Sequence, residues 1–288
     1  MKLTIGICTY NRDEIWENGE GTFRCLLQQS DMDFELLICD DNSTDRTLDA
    51  IREILKTDHP CMNNTRFFQC RSPKKLPRQG QAMPENVLFA EASGDYYLHI
   101  DDDGMVDPDM VKFAKRLIQE MPTGAFYGRL RFINPKTGAP YSEGGTEYLD
   151  DERMKYVTAA VQPGPNVIRL QPEFKAEWGG LWLAPLKPIR QIGGHELELS
   201  HFRGEDARLG SRMAFFLPTY FVCDQNFTFT HYGLTHRRYL ALRGNVGEFL
   251  EMYREPSAGN YAPTLFTNGQ ESFWTSDALR SQYHEVSL

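Results

Sequence analysis

The amino-acid sequence predicts an α/β protein with a mostly parallel central sheet flanked by helices. Three observations carry this. Short apolar runs of strand length alternate with segments of helical period through Glu120. Three of the runs, ending at Cys8, Cys39 and Ile100, each stop at a polar cluster. The chain has 288 residues, 41% hydrophobic and 25% charged, enough to bury a core in one large domain or two small ones without disulfides.

Residues 3–8 read as a buried strand that ends at Thr9-Tyr10-Asn11-Arg12. Residues 21–29 read as a helix with Phe23, Leu26 and Leu27 on one side. Residues 34–39 form a second strand, closed by Asp40-Asp41-Asn42-Ser43. Leu48, Ile51, Ile54 and Leu55 recur at helical spacing and predict a helix over 45–56. A third strand is expected over 65–70, a helix over 81–92 and a fourth strand over 96–100. The next helix is expected over 108–120, with Pro108 in its first turn. Strands alternating with helices imply parallel pairing. Ligands of open parallel sheets bind outside the carboxyl ends of the strands, so the three polar clusters should share one crevice.

The second half is less regular. Residues 126–133 read as a strand and 134–147 as a loop rich in glycine and proline. Trp178-Gly179-Gly180 leads into a strand over 181–183. A short helix over 185–192 should end at Gly193-Gly194. Gly204-Glu205-Asp206 leads into a helix through Met213, and 220–230 is strand-like. The tail to Leu288 is polar with scattered aromatics. There is no internal repeat.

Net charge is -9 and the pI is near 5.3, which disfavours a polyanionic partner such as nucleic acid. The six cysteines include no CxxC pair, so reduced thiols in a cytoplasmic protein are expected. The first residues are too soon broken by polar ones to be a signal peptide, and no apolar run reaches transmembrane length.

Two clusters carry chemistry. Asp101-Asp102-Asp103 places three carboxylates at a strand end, where they repel one another unless a cation intervenes; hard divalent ions prefer such oxygens. A solvated acidic turn before Pro108 is the competing reading. Asp40 to Asp45 offers an acceptor for a base or ribose, while Ser43 or Thr44 can cap the following helix.

Together these stretches resemble the family-2-type glycosyltransferases with the GT-A fold. The resemblance rests on residues 7–12, 39–45, 80–95 (with Asn86, Ala92 and Gly94 at the family's spacing), 100–103 and Gly204-Glu205-Asp206. It implies a GT-A, Rossmann-like domain over 1–235, with a nucleotide-binding half over 1–104 and an acceptor-binding half over 105–235. Residues 236–288 would be an extension packed on that domain. It also implies transfer of a sugar from a nucleotide-sugar donor, UDP-linked by preference, to a hydroxyl acceptor, with Mn²⁺ or Mg²⁺.

Carried onto this sequence, Thr9, Tyr10 and Arg12 would line the nucleotide pocket. Asp41, or its neighbour Asp40, would bind the base, and Arg78 would present a cation to the donor. Asn86, Asp101 and Asp102 would lie on the donor side. Asp101 and Asp103 would be the ends of the DxD motif, with Asp103 the direct metal ligand and Asp101 nearer ribose or sugar. Gly104 stands where the family often has a fourth acid. His231, with His236 as competitor, would complete the metal site. Asp206, beside Glu205, would be the general base, and single displacement with inversion follows if it is. Gly180 would allow close approach to the donor sugar, and Trp182 would either stack on sugar or sit in the core. His99 is expected to be structural. The acceptor stays open among a glycan, a lipid-linked sugar, a metabolite, a protein and a modified nucleic-acid base. The aromatic tail either covers the acceptor site, makes a homodimer contact or packs as scaffold. A nucleotidyltransferase is the alternative enzyme, although Thr9 to Arg12 holds no glycine for a phosphate loop. A sugar-nucleotide-binding module without a base is the alternative outside catalysis.

Overall fold

The computed structural model describes residues 1–12, 21–55, 60–71, 81–133, 167–170, 180–195, 205–232 and 277–287. Strand β1 (Leu3–Thr9) lies at the centre and is buried along its whole length. Such continuous burial is expected of a strand covered on both faces, and it explains the unbroken apolar run. It pairs in parallel with β2 (Glu35–Asp40) on one side and β4 (Tyr96–Ile100) on the other; β3 (Thr65–Cys70) follows β2, also parallel. The order β3-β2-β1-β4 reverses direction of travel at β1, which creates the crevice the polar clusters were expected to share.

Alternation along these strands separates two apolar layers. Ile5, Ile7, Leu36, Ile38, Leu98 and Ile100 face α1 (Thr22–Leu27), α2 (Thr47–Leu55) and α4 (Met110–Glu120). Cys8, Leu37, Cys39 and Tyr97 face α3 (Ala82–Glu91), α5 (Leu186–Gln191) and α6 (Glu205–Phe216).

Beyond β4 the sheet becomes mixed. β8 (Leu181–Pro185) runs antiparallel to both β4 and β6 (Ala125–Ile133). β5 (Gly104–Val106) closes that end against β10 (Thr228–Tyr232), while β7 (Val167–Leu170) pairs with β9 (Thr219–Val222). Among the described residues five pairings are parallel and five antiparallel: β3-β2-β1-β4 is an all-parallel run, while β6 pairs in parallel with β9 and β10 within the mixed remainder.

Some boundaries differ from the sequence reading, each for a local reason. The expected strand over 220–230 is two strands: β6 pairs with β9 through Ala125–Gly128 and with β10 through Arg129–Ile133. Between them a 3-10 turn (Gln225–Phe227) starts where the Asp224 side chain accepts the Asn226 N–H at 2.9 Å. Helix α4 begins after Pro108, whose carbonyl accepts the Ser30 N–H, because Asp107 turns the chain by accepting the Asp109 N–H. Gly193 and Gly194 follow α5 with φ of 87° and 64°, the left-handed backbone glycine allows.

From the tail, α7 (Asp277–Arg280) leads into β11 (Tyr283–Val286), which covers the outer edge of β3. Arg66 of β3 pairs with Glu285 at 3.1 Å and Glu91 at 2.8 Å. Among the described residues no helix is long and apolar enough to cross a membrane.

Candidate active site

The loops after β1 and β2 are laced together. Asn11 and Asn42 adopt φ of 48° and 61°, a left-handed region that asparagine enters more readily than most residues. The Asn11 N–H donates to the Ser43 hydroxyl at 2.9 Å, and the Thr44 N–H returns to Asn11 Oδ1 at 2.9 Å. The Arg12 N–H donates to Thr47 Oγ1 at 2.7 Å. Ser43 also donates its hydroxyl proton to Asp40. It is therefore not the cap of α2; Asp45 takes that place by accepting the Thr47 N–H.

This lacing separates the two adjacent acids. Asp40 is fully buried, and its oxygens accept from the Ser43 N–H at 2.9 Å, the Ser43 hydroxyl and the Gln69 amide at 3.0 Å. Its carboxylate organises the loop and does not reach the cleft. Asp41 lines the cleft, together with Cys8, Thr9, Tyr10, Arg12, Gln81, Pro84 and Asp102.

The acidic triplet follows β4. The Asp101 N–H is held by the Gly180 carbonyl at 2.9 Å, and Thr22 of α1 donates its hydroxyl to the Asp101 carbonyl at 2.7 Å. The three carboxylates then diverge. Asp101 meets His99 Nε2 at 2.9 Å and remains 23% exposed. Asp102 turns inward, and Arg12 Nε sits 3.0 and 3.2 Å from its two oxygens. Asp103 Oδ2 takes Arg12 Nη2 at 2.9 Å and His231 Nε2 at 3.2 Å.

Their titration differs accordingly. Burial pushes the Asp102 carboxyl up to about 7 even against Arg12. Burial also acts to raise Asp103, but His231 and Arg12 outweigh it and bring that carboxyl down to about 2. His231 is lowered by burial and raised more strongly by Asp103.

His231 reaches the triplet through β-pairing. In the β5–β10 ladder His231 lies opposite Gly104, the residue after Asp103. A side chain at Gly104 would enter Phe229 and the Thr230 carbonyl, which is why glycine occupies a position where the family often carries a fourth acid. Gly180 is likewise left-handed, with φ of 81°, and packs under Leu130 and Phe229.

A divalent ion fits this donor set. Asp103 Oδ1 is buried and has no hydrogen-bond partner among the described residues, while carboxylates with one imidazole suit Mn²⁺. Among the described residues, no three His, Cys, Asp or Glu side chains enclose a point by themselves.

Two expected donor contacts are corrected. Trp182 is fully buried and its ring stacks on His99 at 5.3 Å, so neither face is open to a sugar. Asn86 is fully buried too; its amide donates to the His195 carbonyl and accepts the His195 N–H at 2.9 and 2.8 Å. Arg78, Trp178, Gly179 and His236 lie outside the described residues. Glu205 and Asp206 open α6, while the placement of their side chains lies outside the described structure. Arg212 of α6 donates to the Ile192 carbonyl at 3.1 Å and to that of Gly194, docking the helix on the turn after α5.

His99, expected to be structural, is fully buried, and it stands in a cluster with Glu85 and His195, two residues the sequence reading does not single out. Glu85 lies 2.6 Å from His99 Nδ1 and 2.6 Å from His195 Nε2, with all three side chains fully buried. The available signal was the adjacent polar pair Glu85-Asn86 inside the apolar stretch Ala82 to Ala90.

The model of glycosyl transferase family 2 matches residues 4–171, more than half of the chain. Chondroitin synthase of Pasteurella multocida (strain Pm70) and hyaluronan synthase of Pasteurella multocida are each 30% identical over 142 residues, 48% of this chain. The chain spans only 14% and 13% of those relatives' own lengths. Among solved structures, the mannosyltransferase PcManGT from Pyrobaculum calidifontis, in complex with GDP-Man and Mn²⁺, matches at a TM-score of 0.61 and 17% identity, over 98% of this chain and 72% of that one. TarS 1–349 of S. aureus in complex with UDP matches at a TM-score of 0.58 and 17% identity, over 84% of this chain and 64% of that one. These identities speak to the fold alone, and the fold is GT-A. With that fold and a family match over more than half its length, the chain belongs to glycosyl transferase family 2.

Proposed function

We propose that this chain transfers a sugar from a nucleotide-diphosphate sugar, UDP-linked by preference, to a hydroxyl acceptor with inversion. The observation that carries the reading is the convergence of Thr9, Tyr10, Arg12 and Asp41 with Asp101, Asp103 and His231 at the carboxyl ends of β1, β2 and β4. Family membership supports it, as do the names of the two synthases and the UDP in the TarS complex.

In this reading Asp41 accepts from the base, and Thr9 and Tyr10 line the nucleotide. Asp101 faces the ribose and donor sugar, and Arg78 offers a cation to the donor. Asp103 and His231, with Asp101 nearby, would hold Mn²⁺ or Mg²⁺. The ion, when bound, supplies positive charge against the departing diphosphate. Arg12 keeps Asp102 and Asp103 from repelling each other and so keeps the pair compact. Asp206, beside Glu205 at the start of α6, takes the proton of the acceptor hydroxyl as that oxygen attacks the anomeric carbon. Residues 1–235 form the catalytic domain, and 236–288 an extension docked through β11.

The test is nucleotide release from a panel of UDP- and GDP-sugars, with Mn²⁺ or with EDTA, by wild type and Asp103→Ala. Metal-dependent release from one donor, lost in the variant, supports transfer and names the donor. No release and no nucleotide binding from any donor would remove the assignment of the acidic triplet.

A further inference from the structure

We propose that Glu85 is a positioning residue for this reaction: it holds the Asp101 carboxylate in its working orientation by way of His99. The inference rests on the reading that Asp101 faces the donor.

Glu85 sits in the first turn of α3, fully buried among apolar side chains. Its charge is felt there, adding to the burial that already pushes the Cys8 thiol and the Tyr97 phenol well up. Charged groups are seldom the most stable filling for such a volume, since well-packed apolar residues often do as well or better. What a paired charge supplies is direction.

The direction is read from the contacts. Glu85 Oε1 meets His99 Nδ1 at 2.6 Å, and His99 Nε2 meets Asp101 Oδ1 at 2.9 Å. Nε2 is hydrogen-bonded to Asp101, whereas Nδ1 and Glu85 Oε1 are in close ion-pair contact outside hydrogen-bond alignment; a carboxylate against each nitrogen favours a ring that keeps its Nε2 proton toward Asp101. Without Glu85, Nδ1 could carry the ring's only proton, and Nε2 would turn a lone pair toward Asp101. The ring is fully buried and lies parallel to the Trp182 indole at 5.3 Å and 7°, so packing opposes its leaving that plane.

Glu85 is itself braced from the far side. Its Oε2 meets His195 Nε2 at 2.6 Å; that ring stacks on Phe89 at 5.7 Å and 7°, and its backbone is clasped by Asn86. The line His195–Glu85–His99–Asp101 thus runs from the turn that carries α6 to the acidic triplet. The Gln81 amide also donates to the Asp101 side chain, at a longer 3.4 Å.

The experiment is a double-mutant cycle of Glu85→Gln and Asp101→Asn, read by donor hydrolysis and by urea denaturation. Glu85→Gln is expected to lower kcat by about tenfold at saturating Mn²⁺, with donor KM moved much less, as for other supports behind a donor site. In the Asp101→Asn background the same change should leave kcat within about twofold. A Glu85 that serves only stability leaves kcat per folded molecule unchanged, and that result overturns the proposal. The denaturation arm needs no activity: the loss of midpoint from Glu85→Gln must shrink in the Asp101→Asn background. Additive losses overturn the link even if no donor proves to be turned over, an outcome that would by itself sink only the transferase reading. Should Glu85→Gln not fold, His99 carries the test. His99→Gln places an N–H near the lost Nε2 and is expected to keep more activity than His99→Asn, which mimics Nδ1. Equal loss in both refutes the proposal.

Discussion

A methyl group added at Gly104 tests how the acidic triplet and His231 are held together. The added Cβ of Gly104→Ala would lie 2.4 Å from Phe229 Cζ and 2.6 Å from the Thr230 carbonyl oxygen. Carbon atoms rest about 3.5 Å apart or more, so the strands must separate by about 1 Å or the ring must move. The ring is fully buried and its neighbours are packed, and the second obstacle is backbone, so strand separation is the available response. Overpacking of this kind costs about 1–3 kcal/mol. The same displacement acts on the Gly104–His231 pair and would carry His231 Nε2 from 3.2 Å to beyond hydrogen-bond reach of Asp103. Urea denaturation should show the stability loss, and the Mn²⁺ concentration for half-maximal donor release should rise by about tenfold. An Ala variant with wild-type midpoint and wild-type Mn²⁺ requirement would refute the claim that this close approach builds the site.

The two acids after β2 should separate cleanly. Asp40→Ala leaves the Ser43 N–H and the Gln69 amide without their acceptor and should cost about 2–3 kcal/mol in urea denaturation, whereas Asp41→Ala should leave the midpoint near wild type and weaken UDP binding in calorimetry by about tenfold or more. The reverse pattern would show that the base is read by Asp40. Acid should also act through Asp103. Its folded carboxyl lies at about 2 against 3.8 unfolded, so the stability it contributes, about 2 kcal/mol, is full above about pH 4 and drains away as pH falls toward 2. Denaturation midpoints between about pH 5 and pH 3 should therefore fall less steeply in Asp103→Asn than in wild type, and parallel curves would contradict the assignment.

Much of the nucleotide half is legible from residue order. The strand at 96–100 has the expected bounds because a strand buried on both faces writes its burial into its composition, and the half-buried strand at 65–70, with Phe67, Phe68 and Cys70 inside, has the expected bounds as well. The convergence of the three polar clusters follows from the alternation of strands and helices. The second half reads less well. The split between β9 and β10 depends on where a long partner, β6, changes neighbours, and an apolar run does not record its partner.

The same limit divides the site. By itself the sequence determined the fold class, the family resemblance and the chemistry offered at Thr9 to Arg12, Asp40-Asp41 and Asp101 to Asp103, since each is a local string. Tertiary structure alone decided which of two adjacent acids faces the cleft, that Trp182 and Asn86 are turned inward, and that Glu85 stands between two imidazoles. It also brought His231 to Asp103 across 128 positions of chain. Pairs so far apart are chosen by strand register and by the pairing that burial demands of a charge, and neither leaves a period in the sequence.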